Sequence, residues 1–327
     1  MDGRRNRAVE GQLEEDRSMS YTRQTFTRTA AAFVITLLAF STSVAGIYRH
    51  DVPEKKYLQL GRQKQFDCVG QLAKVDSAGR FTLGASCVLV GERCVLSAAH
   101  CFIDNDFRAD TLDTMIDGKK AQMIFNSPIN YRVTDFSKKY VAFGKRRIKV
   151  KRGIIYPAYL DSLTKGSCDL VLLELEQAVK GIKPAKMSYT FDELHNDVTG
   201  VGYGASGRAD KLESVDLHNK KIAGQSVVDS LGGPEVEGHQ TQLFCEFAAP
   251  NDKTAMHVCR PLEYIVAGGD SGGGLFRQTE AGWELIGICS GGGVNLPLLL
   301  NRRSYYGQSM SWTRVSAFTD WIAERMK

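Results

Sequence analysis

Beyond Gly46 the apolar residues of this chain come in runs too short for most helices, each cut off by Gly, Asp or Asn. "FTLGASCVLV" (81–90), "RCVLSAA" (93–99), "DLVLLELE" (169–176), "DVTGVGYG" (197–204), "KIAGQSVV" (221–228) and "WELIGICS" (283–290) each read as a strand. Only "SAFTDWIAERMK" (316–327) has clear helical spacing, with Ser316 as N-cap and Phe318, Trp321 and Ile322 on one face. Many short strands with one terminal helix predict an all-β chain, built as a sandwich or as barrels. "EQAVKGIKPAKM" (176–187) holds the Gly and Pro expected of a connection. It divides the chain into an N-terminal extension (1–46), a first half (47–185) and a second half (186–327).

The 327 residues are enough for one large or two ordinary domains. The net charge of +5 has no concentrated basic block except "KRRIKVKR" (145–152). Its basic and apolar residues alternate like an edge strand with one wet face, which argues against a nucleic-acid partner. "RTAAAFVITLLAFSTSVAG" (28–46) has a basic flank, an apolar stretch Ala30–Phe40 and then small residues. That stretch is short for a bilayer and suits a signal peptide ending near Ala45 or Gly46, with Met19 as a possible start. The expectation is a secreted or periplasmic protein that meets the membrane only in transit; the alternative is a retained signal anchor. Export gives the eight cysteines an oxidising compartment, and no C-x-x-C pair suggests a zinc ribbon or a thioredoxin motif.

The densest glycine stretch is "AGGDSGGGLF" (267–276). Glycine admits positive φ angles, so a tight turn here can aim the Ser271 hydroxyl outward and converge the Gly269 and Ser271 N–H groups on one point. Two such donors make an oxyanion hole. Asp270 is a charge in a turn of small residues and needs a buried cationic or N–H partner. A serine nucleophile also needs a base and an orienting acid. All six histidines precede Ser271, which excludes the α/β-hydrolase elbow, where the histidine follows the serine. His100 is the strongest base candidate, because "CVLSAAHCF" (94–102) runs a buried strand into Ala98 and Ala99, small enough for close packing. His195, His218 and His239 sit among polar residues, and His257 reads as structural. Asp169 opens the apolar run "CDLVLLELE" (168–176) and must be paired there. A hydrogen bond from His100 would pair it and leave the other ring nitrogen free for the serine proton.

With these pieces in place the chain resembles the chymotrypsin/trypsin family of serine proteases. The match is carried by "LSAAHC" (96–101), "CDLVLLELE" (168–176), "GYG" (202–204), "GGDSGG" (268–273), "ELIGICSGG" (284–292) and "SWTRVSAFTDWI" (311–322), in the family's order. The resemblance implies two packed six-stranded antiparallel β-barrels with a C-terminal α-helix. It also implies His100 as base, Asp169 as orienter, Ser271 as nucleophile, and the Gly269 and Ser271 N–H groups as oxyanion donors. Such a serine endopeptidase cuts protein or peptide substrates, accepts proteinaceous inhibitors, and needs no cofactor or metal. A catalytically inert homologue acting as a binding protein is the alternative. The resemblance further implies disulfides Cys87–Cys101 and Cys245–Cys259. Cys94, Cys168 and Cys289 read as small buried hydrophobes, and Cys68, like them, has no family partner.

Some positions depart from the family. Its specificity pocket corresponds to Ile265 at the floor, Ser290, Gly291 and Gly292 along one side, and Met310 at a wall. Ile265 is not acidic, so the resemblance implies an apolar or small side chain before the scissile bond. Ala267 stands where the family places a bridging cysteine. The usual activation sequence is absent, and "SVAGIYRHD" (43–51) stands near the signal end. Cleavage after Gly46 would free Ile47 to pair with Asp270; cleavage after Ala45 would leave Gly46 in front.

Overall fold

The first strand, Gly46–Tyr48 (β1), leads into helix Glu54–Gly61 (α1). In this computed structural model the described residues are 46–327, except 77, 117–118, 162–167, 213–214, 217–219, 294, 296–297 and 300–301. The chain divides into units 1–34 and 35–327, and every described residue lies in the second. The signal stretch read over 28–45 lies outside the described residues.

Strands Val69–Val75 (β2), Phe81–Leu89 (β3) and Cys94–Ser97 (β4) follow in quick succession. Next comes a long hairpin, Ile103–Ile116 (β5) and Lys119–Val133 (β6), whose strands, among the described residues, pair only with each other. Lys139–Phe143 (β7), Arg146–Ile155 (β8), helix Pro157–Asp161 (α2) and Val171–Leu175 (β9) complete the first half. Six of these strands close into a barrel in the order β2-β3-β4-β9-β8-β7. Alternation fills it: Val88, Leu96, Val141, Val150, Leu173 and Leu175 are buried in one core. "KRRIKVKR" does form a strand with exposed basic residues, but β8 pairs with β7 and β9 and is therefore no edge. Barrel closure removes the edge that the charge pattern suggested.

The second half contains Lys186–Met187 (β10), Asp197–Gly202 (β11), Ser206–Arg208 (β12), Val215–Asp216 (β13), Ile222–Val227 (β14) and Ser230–Val236 (β15). His239–Glu246 (β16), Tyr264–Ile265 (β17), Gly274–Thr279 (β18), Gly282–Gly293 (β19) and Ser309–Arg314 (β20) follow. The main sheet has eight strands, with the path β14-β11-β18-β19-β20-β16-β15 and β10 beside β19. The mostly-β architecture, closed six-stranded barrel and terminal helix agree with expectation. Two additions take the second sheet past six strands: β15 folds back on β16 through a bulge at Gly232–Glu235, and the connection contributes β10.

Both ends of the described chain cross over. Residues 46–61 pack on the second half, although the sequence places 47 onward in the first. β1 lies parallel to β12 and antiparallel to β17, and Ile47 and Tyr57 are buried in the second core. Helix Thr319–Arg325 (α3) instead packs Phe318 and Ile322 into the first core. Its predicted cap is corrected: a 3-10 turn, Val315–Phe318, precedes the helix, and Phe318 takes the N-cap position. Ser316 is buried, and its hydroxyl donates to Glu193 Oε1 at 2.6 Å. That carboxylate, buried with Arg314, attracts the hydroxyl more strongly than an open helix end would.

Candidate active site

β4 ends at Ser97, and the fully buried Ala98 and Ala99 let the chain turn tightly against the barrel wall. The 3-10 turn Ala99–Phe102 then presents His100 at the seam between the halves. Asp169 arrives just before β9. Cys168 takes a left-handed φ of 60°, a costly conformation that turns the chain there. The Asp169 carboxylate is buried and binds His100 twice. Oδ1 accepts from the His100 backbone N–H at 2.9 Å, and Oδ2 lies 2.6 Å from Nδ1. An ionised carboxylate only accepts, so Nδ1 carries the proton and Nε2 is left as acceptor. Nε2 is 2.8 Å from Ser271 Oγ. Three residues scattered over the sequence thus form one hydrogen-bonded chain. Burial opposes a charged His100 ring, but the neighbouring Cys101 and the Asp169 carboxylate favour it, and the net direction is well above the ordinary imidazole value.

The serine turn is held by its backbone. Asp270 N–H donates to Ala267 carbonyl at 2.9 Å, Gly272 N–H to Cys289 at 2.8 Å and Gly273 N–H to Asp270 at 2.7 Å. Gly269 and Gly272 have φ of 96° and 82°. A Cβ on Gly272 would meet Ser97 Oγ at 2.1 Å and the Ser86 carbonyl at 2.3 Å, so glycine is required by both angle and space. Asp270 is buried, and its carboxylate accepts from the N–H groups of Gly204 at 2.8 Å and Ala267 at 3.0 Å. Desolvation outweighs those two donors and pushes its pKa up to about 7. Gly46 adjoins this carboxylate: a Cβ built on it would lie 3.5 Å from Oδ2. Ile47 is instead held opposite Ile265 and Gly207, and its N–H does not bond Asp270. In the uncleaved chain strand pairing holds Ile47 one step past the carboxylate, so Gly46 is the nearer of the two to Asp270.

Ile265 is buried in β17, and Met310, also buried, lies on β20 opposite Gly292. Gly291 borders open space, since a Cβ on it would meet nothing within 4 Å, whereas one on Gly292 would touch the Ser309 carbonyl at 3.7 Å and the Val266 carbonyl at 3.8 Å. Ser290 does more than line this side. Its hydroxyl donates to Asp169 Oδ2 at 2.8 Å. The implied disulfides are absent: Cys87, Cys101, Cys245 and Cys259 are all free thiols. Cys101 sits beside the His100 ring, Cys245 lies in the second core, and Cys259 directs its Sγ at the Arg260 carbonyl. His257 bonds Asp229 Oδ1 at 2.8 Å and Glu263 at 3.2 Å, the structural role expected of it.

Two hydroxyls escaped the sequence reading. Ser86, fully buried in β3, donates to Gly269 carbonyl at 2.8 Å, accepts from Tyr203 N–H at 2.9 Å, and through its own N–H holds Ser271 carbonyl at 2.8 Å. Thr313 Oγ1 donates to Asp169 carbonyl at 3.0 Å. Ser86 left one signal, a lone serine inside a buried run; Thr313 left none, since its partner is 144 positions away. No curated protein matches the chain. A trypsin family model matches residues 61–322, a span that contains the histidine turn, the buried acid and the serine turn. With most of the sequence matched and its two halves folded as described, the chain belongs to the trypsin family.

Proposed function

We propose that this member of the family is an active, exported serine endopeptidase. The observation that carries the reading is the unbroken chain Ser271 Oγ–His100–Asp169 at 2.8 and 2.6 Å. Ser271 Oγ attacks a peptide carbonyl carbon while His100 Nε2 takes its proton. The oxyanion forms against the Gly269 and Ser271 N–H groups. His100 then gives the proton to the leaving amine, and an acyl-enzyme remains. Water, deprotonated by the same ring, releases the acid and restores Ser271. The buried Met310 and Ile265 favour a small or apolar side chain before the scissile bond. A proteinaceous inhibitor would enter the same cleft. Fluorophosphonate labelling tests the proposal: the wild type labels, and Ser271→Ala does not while keeping its far-UV spectrum. An unlabelled wild type would leave the inert, binding homologue in its place.

Export and activation belong to the same reading. Asp270 is a buried carboxylate held by two amides, and Gly46 adjoins it beside Gly202 and Gly204. Signal cleavage after Ala45 would put the new Gly46 ammonium where Asp270 needs a cation. Mass spectrometry of the secreted protein should find a chain beginning at Gly46. A first residue of Ile47, or one further on, overturns this part.

A further inference from the structure

The hairpin β5–β6 starts directly after the turn that carries His100 and, among the described residues, pairs with no other strand. At 14 and 15 residues its strands reach about 45 Å, and a two-stranded ribbon alone is marginally stable in water. Its two outer edges differ. β6 carries Pro128, which has no N–H to offer, and a bulge that skips Ile129. These features blunt an edge against pairing. β5 has neither, so its outer edge is an unbroken row of amides and carbonyls.

We propose that the β5 edge joins the β5 edge of a second copy of this chain, forming a four-stranded antiparallel sheet about a twofold axis. Such an axis, perpendicular to the sheet, must centre the pairing on one residue, since facing residues lie on the same face. The charges choose the centre. Centring on Arg108 sets arginine against arginine and Asp106 against Asp110. Centring on Asp110 sets that residue against itself, and centring on Phe107 faces Asp104 with Asp110. Centring on Ala109, at the middle of the strand, sets Arg108 opposite Asp110 twice and brings no like charges together. Ala109 is exposed and small, as two side chains meeting on an axis require. Arg108 and Asp110 already pair within the chain at 3.1 Å on the exposed surface, so they can exchange partners across the axis without reorganising.

Sedimentation equilibrium of the purified protein tests this, with the far-UV circular dichroism spectrum as an independent check of the fold of each variant. The wild type should be a dimer whose dissociation follows dilution. Arg108→Asp places acid against acid at both positions and should weaken the dimer by about a hundredfold or more. The exchanged pair, Arg108→Asp with Asp110→Arg, should restore it. A wild type that is monomeric at every concentration overturns the proposal. So does an Arg108→Asp variant as dimeric as the wild type, or an exchanged pair that stays monomeric. None of these readings depends on peptidase activity.

Discussion

At the residue scale, the candidate triad draws its order from the hydrogen bonds gathered on its acid. Asp169 accepts from His100 N–H, His100 Nδ1–H and Ser290, and its backbone carbonyl accepts from Thr313. Asp169→Asn should leave the fold intact and lower kcat about 10⁴-fold, since the wrong tautomer then faces Ser271; single-turnover kinetics measures it. The raised His100 pKa fixes a sign. A base must be neutral, so kcat/KM should rise with pH through a midpoint above the ordinary 6.5, and Asp169→Asn should move the midpoint down. Gly272→Ala meets two contacts under 2.5 Å at a φ of 82° and should cost about 2–4 kcal/mol, read from the urea midpoint. That His100, Asp169 and Ser271 could meet, and that Asp270 needs N–H partners, was legible in sequence, because each sits in a local pattern that steric or desolvation rules recognise. Ser86 and Thr313 were not, because their partners lie across the seam and no local rule names them.

At the element scale, strands with one apolar face were readable and elements without one were not. β3, β4, β9, β11 and β14 fall where their apolar runs lie. The β5–β6 hairpin carries no predicted strand: over 103–116 Asp, Arg and Thr interrupt the apolar positions on both faces, so no period of two emerges. α1 was missed because it buries only Tyr57 and Gly61, too few apolar positions to make a helical stripe. The loop between β16 and β17 is anchored by His257, clamped between Asp229 and Glu263. Burial opposes the charged ring, but the two carboxylates prevail and lift its pKa to about 9. A histidine raised in the folded state adds stability that is complete below about 6.5 and lost as pH rises through about 9. Urea unfolding from pH 6 to 10 should show this decline, and His257→Gln should flatten it.

At the scale of the whole molecule, each half holds the other's chemistry. The first half sends Ser86 to the serine turn, and the second sends Ser290 and Thr313 to the acid. Thr313→Ala should therefore lower kcat with KM nearly unchanged, and cost about 1 kcal/mol of stability. β1 adds a further dependence. While Gly46 remains an internal amide, Asp270 stays desolvated with its pKa near 7, above the 3.8 of the unfolded chain. The folded precursor then binds the proton more tightly, so its stability falls as pH rises from about 4 to 7. The chain beginning at Gly46 should lose that slope, which unfolding at matched pH measures.

The reciprocal grip across the seam also limits how such a gene can recombine. A chimera joined at the connection after β9 would bring a parent's aspartate to hydroxyls shaped for another's. Its two hydrophobic interiors could form independently and still leave the imidazole without a fixed bearing. Inheritance of activity therefore requires Ser86, Ser290 and Thr313 to travel together, though the first and last are separated by most of the folded chain.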